Sequence, residues 1–574
     1  MLTALRLGNF KAFAETQVVP IRPLTLIFGA NSSGKSSLIH GLLFAQHALA
    51  TGELDTFRTQ AGGDSVDLGG FRQYIHRREL QRRVEWGVDL EVALLPKPLR
   101  DSFSPARRVE VSLTLGFVAY TPPDVRLSQE MVDGIPTSIP ARRRVVALVT
   151  CEISADGEPL MRMSRRSDGT LRIDRLEAQH PILREFIGAL LEFRTTTVLQ
   201  PADYEIVDEA IAALLPKLTV LIDRLLPARI VLPETDARQG DTQFLTISKG
   251  GRREELANAV RLFLPRELDR LLRGLSDTLS TSLAQLRYLG PLRSYPPRTF
   301  ALAQHYDPNW FAGGGYAWEV VQRDAEVRAA VNAWLGADHL QTRYELAVRR
   351  MVSIEQLDQA IYEGLESFDS GMIQAEREAG ASEEDADEGT DETFLMRNID
   401  MAVGAIRNAI QWADPDPVQQ LVITDRRTGT IVSHRDIGIG ISQVLPVLVS
   451  AYASTKSIIA IEQPEIHLHP ALQAELGDVF IESALGERGN TFILETHSEH
   501  LILRIMRRMR DTVRGTLPEG MPPVRPEDVA ILYVQPRDSS SASVVFELAL
   551  DEDGELRDAW PGGFFEEGFR ERFS

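Results

Sequence analysis

Between Gly29 and Ser37 the chain reads GANSSGKSS, and Gly29, Ala30, Asn31, Ser32, Ser33, Gly34, Lys35 and Ser36 fit the spacing G-x-x-x-x-G-K-S. Two glycines let the backbone curl until several N–H groups face one anion, and a helix opening directly afterwards turns its positive end on the same spot. A lysine placed like Lys35 reaches the outer phosphates, and a hydroxyl placed like that of Ser36 ligates Mg²⁺. The loop is framed as this chemistry requires. The apolar run Leu24 to Phe28 precedes it as a strand, and the amphipathic run Ser37 to Leu43 follows as a helix. An ordinary glycine turn accounts for less of the pattern, so a bound nucleoside triphosphate is expected.

A second set of chemical residues arrives late. Ser457 to Ile461 reads as a short buried strand ending in Glu462, where a carboxylate would hold Mg²⁺ through water. Thr491 to Thr496 reads as another strand, ending at His497, and Pro470 to Leu485 as the helix between them. In a parallel βαβ unit both strand ends face the ligand edge of the sheet. A surface carboxylate and a structural histidine are the plainer readings of Glu462 and His497. His467, His469, His497 and His500 lack the surrounding Cys or carboxylate pattern of a metal site. Asp551-Glu552-Asp553 matches a nuclease D-x-D by letter but sits in a predicted hairpin with Asp-Gly at its turn, so no nuclease is expected.

The elements that must position these residues come in four stretches. Residues 1–178 are strand-rich, with β-type runs at Val109–Tyr120 and Val145–Ile153. Residues 179–286 read as a helical insertion and a candidate dimerisation surface, with apolar three- and four-residue steps in Ile182–Phe193. Residues 287–412 read as a mixed insertion, helical through Asp324–Glu366. Residues 413–574 return to the nucleotide-binding fold, with strand signals at Gln420–Thr424 and Thr430–Ser433.

Composition bounds the rest. The chain has 574 residues, a net charge of −20 and one cysteine, Cys151. That excludes an intramolecular disulfide framework and fits a reducing compartment. Nine acids and one arginine lie within residues 376–392, which reads as a solvated loop and concentrates much of the negative charge. An acidic chain of this kind does not coat nucleic acid indiscriminately. The longest apolar region, Val444 to Ile461, is broken by Ser450, Ser454, Thr455 and Lys456, so no membrane span is expected, and a cytoplasmic location is. The arginines at 504, 507, 508 and 510 read as a solvated helix face rather than a DNA track.

With these residues in view, the opening LRLGNFKAFAETQVVPIRPLTLIFGANSSGKSSLIHGLL resembles the start of SMC, RecF-like and overcoming-lysogenization-defect (OLD) ATPases. IEQPEIHLHP and ETHSEH resemble the Walker B/D-loop and switch-histidine segments of the OLD-like branch, and YLGPLRSYP and WPGGFFEE resemble a bacterial group within it. The resemblance implies an α/β fold, an ABC-type P-loop ATPase head with a strand-rich N-terminal lobe and helical insertions. It also implies ATP and Mg²⁺ as ligands, and a head-to-tail homodimer or higher oligomer burying ATP between subunits. Lys11 would approach the nucleotide. Gly438 to Gln443 would be the signature segment, Ser442 contacting the γ-phosphate across the interface or simply capping a helix. Gln60 and Gln73 are the candidates for a Q-loop glutamine.

One departure bears on mechanism. Such heads place a glutamate after the Walker B acid to polarise the attacking water, and this chain has Gln463. An amide orients water but is not a base. Glu465, two residues on, is the alternative, and slow hydrolysis is expected. The functional expectation is an ATP-switched dimer controlling a separate effector, in the bacterial phage-defence setting of OLD-like ATPases. The alternatives are a RecF- or SMC-like DNA-handling ATPase, with nucleic acid as a partner, and a transporter ATPase subunit.

Overall fold

All six residues of the strand leading into the glycine turn, Leu24–Gly29, are buried. A strand buried on both faces belongs inside a parallel sheet covered by helices, and that is its place here. The computed structural model describes residues 2–120, 130–132, 135–137, 143–195, 199–231, 251–294, 307–336, 339–351, 358–359, 361–364, 366, 399, 402–404, 406–408, 418–432, 439–537 and 542–561.

The chain opens with β1 (Leu2–Gly8), β2 (Gln17–Pro20), β3 (Leu24–Gly29) and α1 (Lys35–Thr51). Strands β4 (Val84–Glu91), β5 (Arg108–Tyr120), β6 (Glu130–Val132), β7 (Ile135–Thr137), β8 (Arg143–Ala155), β9 (Glu158–Arg165) and β10 (Leu171–Leu176) follow. Next come α2 (Pro181–Thr195), α3 (Asp203–Leu214), β11 (Thr219–Asp223), β12 (Leu226–Val231), α4 (Arg252–Ala284) and β13 (Leu286–Leu289). Then α5 (Ala325–Leu335), β14 (Tyr344–Met351), β15 (Val418–Asp425) and β16 (Thr430–Val432) precede the C-terminal run. That run is α6 (Ile439–Tyr452), β17 (Ile458–Glu462), α7 (Pro470–Leu485), β18 (Thr491–Glu495), α8 (Glu499–Arg514), β19 (Val529–Pro536) and β20 (Ser543–Leu548).

Two large sheets result. Nine strands in the order β12-β11-β10-β9-β8-β5-β4-β1-β2 form an antiparallel sheet. Six strands in the order β13-β17-β18-β3-β19-β20 form the other, parallel except for the antiparallel edge strand β20. Strand β3 thus gains its parallel neighbours β18 and β19 from the far end of the chain. Helix α1 is fixed by hydrogen bonds at both ends of its middle turns. The Trp86 indole N–H donates to the Gly41 carbonyl at 3.0 Å, and the Gln46 amide donates to the Leu283 and Leu286 carbonyls at 3.0 and 2.9 Å.

The chain divides into two compact units. Residues Met1–Ser294, Asp307–Ala317 and Ile439–Ser574 form the first, which holds both large sheets; Tyr295–Tyr306 and Trp318–Gly438 form the second. In the second unit, β14, β15 and β16 form a three-stranded sheet. Its α5 is tied to β14 by Asn332, which donates to and accepts from the backbone of Leu346. Among the described residues, no helix is long and apolar enough to cross a membrane.

Several elements differ from the sequence expectation. The stretch 179–286 contributes β11 and β12 to the nine-stranded sheet as well as helices. Tyr344–Met351, expected to be helical, is a strand paired over eight positions with Val418–Asp425, a distant partner that overrides local helix propensity. The arginines of α8 are not a uniformly solvated face. Arg504 lies 2.8 Å from Glu475 and Arg508 lies 2.7 Å from Asp478, both acids being on α7. The buried carboxylate of Asp478 draws them inward. Asp551 to Gly554 form a turn, closed by the Asp551 N–H on the Glu555 carbonyl. The acidic segment 376–392 and residues from Gly562 onward lie outside the described residues.

Candidate functional site

The glycine turn is built as its spacing requires. Gly29 has φ 144° and Gly34 φ 101°, in the region side chains rarely adopt. A Cβ on Gly34 would also stand 2.4 Å from the Cβ of Ala12, so only glycine fits. Ala30, Asn31 and Ser32 are exposed at the rim, whereas Ser33, Lys35 and Ser37 are buried. Ser543 of β20 clamps the turn from outside, its hydroxyl donating to the Ser33 carbonyl at 2.5 Å. Helix α1 starts at Lys35 with no side-chain cap and no acid in its first turn, so its positive end is uncompensated at the loop.

Lys35 is only 4% exposed and lies along its own loop. Its Nζ donates to the Gly29 and Ala30 carbonyls at 3.1 and 3.0 Å and stands 3.8 Å from Glu495 Oε1. Burial lowers its pKa, partly offset by the carboxylates of Glu495, Glu462 and Glu465. The Ser36 hydroxyl, one residue on, donates to Glu495 Oε2 at 2.7 Å.

Glu462 and Glu495 end neighbouring parallel strands in the same register. Glu462 is buried and accepts a 2.8 Å bond from the Tyr288 hydroxyl, with His40 Nε2 at 3.6 Å. Burial opposes its ionisation, but His40, Tyr288 and Ser36 outweigh that and hold its pKa below the usual value. Glu495 responds the other way. Burial and the neighbouring Glu462 carboxylate push its pKa up to about 7, against the bond from Ser36 and the charge of Lys35.

Lys11 occupies a tight turn at φ 46°, and its Nζ meets His40 Nδ1 at 2.6 Å. Burial lowers its pKa to about 8, against the attraction of Glu462 and Asp67. A chain of polar contacts therefore runs from Lys11 through His40 to Glu462 and Tyr288. His40 lies four residues after Ser36 on the same face of α1.

The turn after β17 carries the remaining expected residues. Gln463 is half-buried with φ 48°, a conformation uncommon outside glycine, and its N–H donates to the Glu495 carbonyl at 2.7 Å. Glu465 is buried; Oε1 accepts from the His497 backbone N–H at 2.7 Å, while Oε2 has no hydrogen-bond partner among the described residues. Burial raises its pKa despite that bond. The half-buried imidazole of His497 is held towards its neutral form by burial and by the charge of Lys35. His469 caps α7, its Nδ1 accepting from the Ala471 N–H at 3.3 Å.

Ser442 lies in the first turn of α6 with 3% of its surface exposed. Gly438 lies outside the described residues. Gln60 and Gln73 are exposed.

Four residues absent from the sequence-based site belong to it. Glu495 was legible as the second of two strand-terminal glutamates. Tyr288 was not, because nothing local shows that β13 pairs with β17, opposite Ala460. Nor was His40, or Arg293. The buried Arg293 guanidinium donates to the carbonyls of Gln443, Glu462 and Gln463 at 3.1, 3.3 and 3.0 Å. It joins the start of α6 to the turn after β17.

A parallel sheet with a glycine-rich phosphate loop at the end of β3, and two acids on the adjoining strand ends, makes this an α/β chain with a P-loop ATPase fold. The sequence comparisons agree. Residues 4–85 match a family described as "AAA domain", and residues 238–504 match "AAA domain, putative AbiEii toxin, Type IV TA system". Residues 524–571 match "Protein of unknown function (DUF3696)". A curated relative, the DNA replication and repair protein RecF of Desulforudis audaxviator, is 25% identical over 126 residues. That alignment spans 22% of this chain and 33% of the relative, about a third of its length. Among solved structures, an Smc head domain with an extended coiled coil bound to the C-terminal domain of ScpA, from Pyrococcus furiosus, aligns over 96% of both chains. It does so at 11% identity and a TM-score of 0.33. The SMC head domain of Thermotoga maritima aligns over 96% of this chain and 99% of its own at 8% identity and a TM-score of 0.31.

Proposed function

We propose that this protein is an ATP-binding switch that closes on ATP with Mg²⁺, hydrolyses it slowly and passes the change in state to a separate effector. The observation that supports it is the meeting of Lys35, Ser36, Glu462 and Glu495 at one sheet edge, from segments at opposite ends of the chain. In this reading the backbone N–H groups from Ala30 to Lys35 receive the phosphates, with Ser37 closing the first turn beneath them. Lys35 exchanges its two loop carbonyls for phosphate oxygens. Ser36 and Glu462 are the residues that would hold Mg²⁺, a hard cation suited to hydroxyl and carboxylate oxygen. When bound, the cation neutralises charge on the phosphate oxygens. Gln463 orients the water that attacks the γ-phosphorus, Glu465 fixes the backbone before His497, and His497 faces the γ-phosphate. ADP and inorganic phosphate leave.

Two copies bound head to tail would bury the nucleotide, with the segment around Ser442 supplying the far wall. A larger oligomer is compatible with the same contact. The OLD-like resemblance suggests a phage-defence setting. The RecF similarity supports a second reading at least as well, a DNA-handling ATPase of RecF or SMC character. Double-stranded DNA accelerating ATP turnover would favour that second reading.

Lys35→Ala tests the common core of both. It removes the phosphate-binding ammonium and leaves the rest of the turn in place, the carbonyl of exposed Ala30 turning to water and that of buried Gly29 losing its donor, so ATP binding should be lost while the fold survives at some cost in stability. Titration calorimetry with unchanged circular dichroism reads both. ATP affinity equal to that of the unsubstituted protein would sink the assignment.

A further inference from the structure

Glu462 and Glu495 sit side by side, yet they face different company. Glu462 is held by Tyr288 and approached by His40. Glu495 engages the two side chains that the phosphate loop contributes, Ser36 through Oε2 at 2.7 Å and Lys35 from Oε1 at 3.8 Å. The sheet order explains this. Strand β18 lies between β17 and β3, and Glu495 pairs in register with Ile27, two residues before Gly29. The acid at the end of β18 is therefore nearer the loop than the acid at the end of β17.

The direction of the Ser36 bond matters. The hydroxyl donates its proton to Glu495, which leaves the oxygen lone pairs free for a cation while the carboxylate fixes the rotamer. Among the described residues, no group of three His, Cys, Asp or Glu is arranged to hold a metal unaided. A cation here would need the serine hydroxyl and phosphate oxygens to complete its shell, the way Mg²⁺ is bound at phosphate sites.

We propose that Glu495 is a second carboxylate of the divalent-cation site, orienting the Ser36 hydroxyl and adding negative charge beside Glu462 at the phosphate loop. This rests on the reading of the loop as an ATP·Mg²⁺ site. It also separates two roles. Glu495 serves the cation side of the nucleotide, whereas Gln463 and Glu465 lie on the turn beyond β17. The site would accept small oxygen-seeking cations, Mg²⁺ or Mn²⁺, rather than thiophilic ones.

The test uses the full chain and a binding readout. ADP affinity is measured by calorimetry in EDTA, and Mn²⁺ affinity of the ADP-loaded protein by electron paramagnetic resonance of the free ion. Glu495→Gln keeps the size and an acceptor for Ser36 but removes the charge. It should weaken Mn²⁺ binding by about 10–100-fold, the usual cost of losing a supporting carboxylate. ADP affinity in EDTA should tighten, since the substitution removes negative charge beside the phosphates. Glu495→Asp, which keeps the charge at a shorter reach, should fall between, and it serves if the Gln variant does not fold. Mn²⁺ affinity unchanged in Glu495→Gln, or in Glu495→Asp and its charge-free partner Glu495→Ala, would overturn the proposal. If the unsubstituted chain binds no ADP in either condition, the nucleotide reading itself fails, a result distinct from a loss confined to the metal.

Discussion

Gln463 carries the sharpest question at the scale of single residues. It follows Glu462 on a left-handed turn, at the position where the proposed ATPase reading expects a base, and an amide there would only orient water. Gln463→Glu should therefore raise kcat, plausibly by about ten-fold, since a positioned base contributes roughly 10²–10⁴-fold in favourable geometry. Glu462→Gln should lower kcat by removing a charged group from the cation. If Gln463→Glu leaves turnover flat while Glu465→Gln abolishes it, Glu465 is the base. Lys11 gives a pH test of the same site. With its pKa near 8 instead of 10.5, the folded protein releases this proton before the unfolded chain does. Between those values the unfolded state binds more protons, so stability rises with pH across that window. The cost of burying the ammonium is fully present below pH 8 and fades towards pH 10.5. Any stability advantage of Lys11→Met should accordingly shrink between pH 7.5 and 10 in urea titrations. An advantage that grows with pH would show that Lys11 is not held as described.

Among elements, the joint between α6 and the turn after β17 is bridged by the Arg293 side chain. Arg293 satisfies three backbone carbonyls at once and is buried. Arg293→Met should strand those acceptors and cost about 2–3 kcal/mol of stability, the scale of buried unsatisfied polar groups. An exposed control such as Arg72→Ala should stay within about 0.5 kcal/mol. Equal midpoints for both variants would show that the carbonyls find other donors. The same joint connects the segment containing Ser442 to the residues around Gln463, so a shift at one end has a physical route to the other. Ser442 is buried in its own unit, which makes a bulky substitution there a disruption of packing as well as of any interface.

For the whole molecule, the proposed switch is an assembly step. ATP with Mg²⁺ should double the mass in light scattering, and Lys35→Ala should abolish that change. The same mass with and without nucleotide, at concentrations well above the binding constant, would remove the two-subunit reading. The formal charge of −20 gives such association a repulsive background that salt screens, so the dimer should form more readily at moderate ionic strength than at very low.

Local sequence alone determined the glycine turn between β3 and α1, because such a turn depends on residue types at fixed offsets and on the strand and helix that flank it. It also determined the strand that ends at Glu462, the strand that ends two residues before His497, and the turn at Asp551 to Gly554, where short-range patterning and turn residues suffice. Tertiary structure decided what could not be written locally. Tyr288 reaches Glu462 only because β13 pairs with β17, and Tyr344–Met351 is a strand only because Val418–Asp425 lies beside it. Glu495 shares the loop with Lys35 and Ser36 only because β18 inserts between β17 and β3. Contacts such as Ser36 with Glu495 join residues 459 positions apart, and no periodicity or motif spacing carries information over that distance. Side-chain pairing across a sheet is fixed by register, and register is set when the distant strands pack.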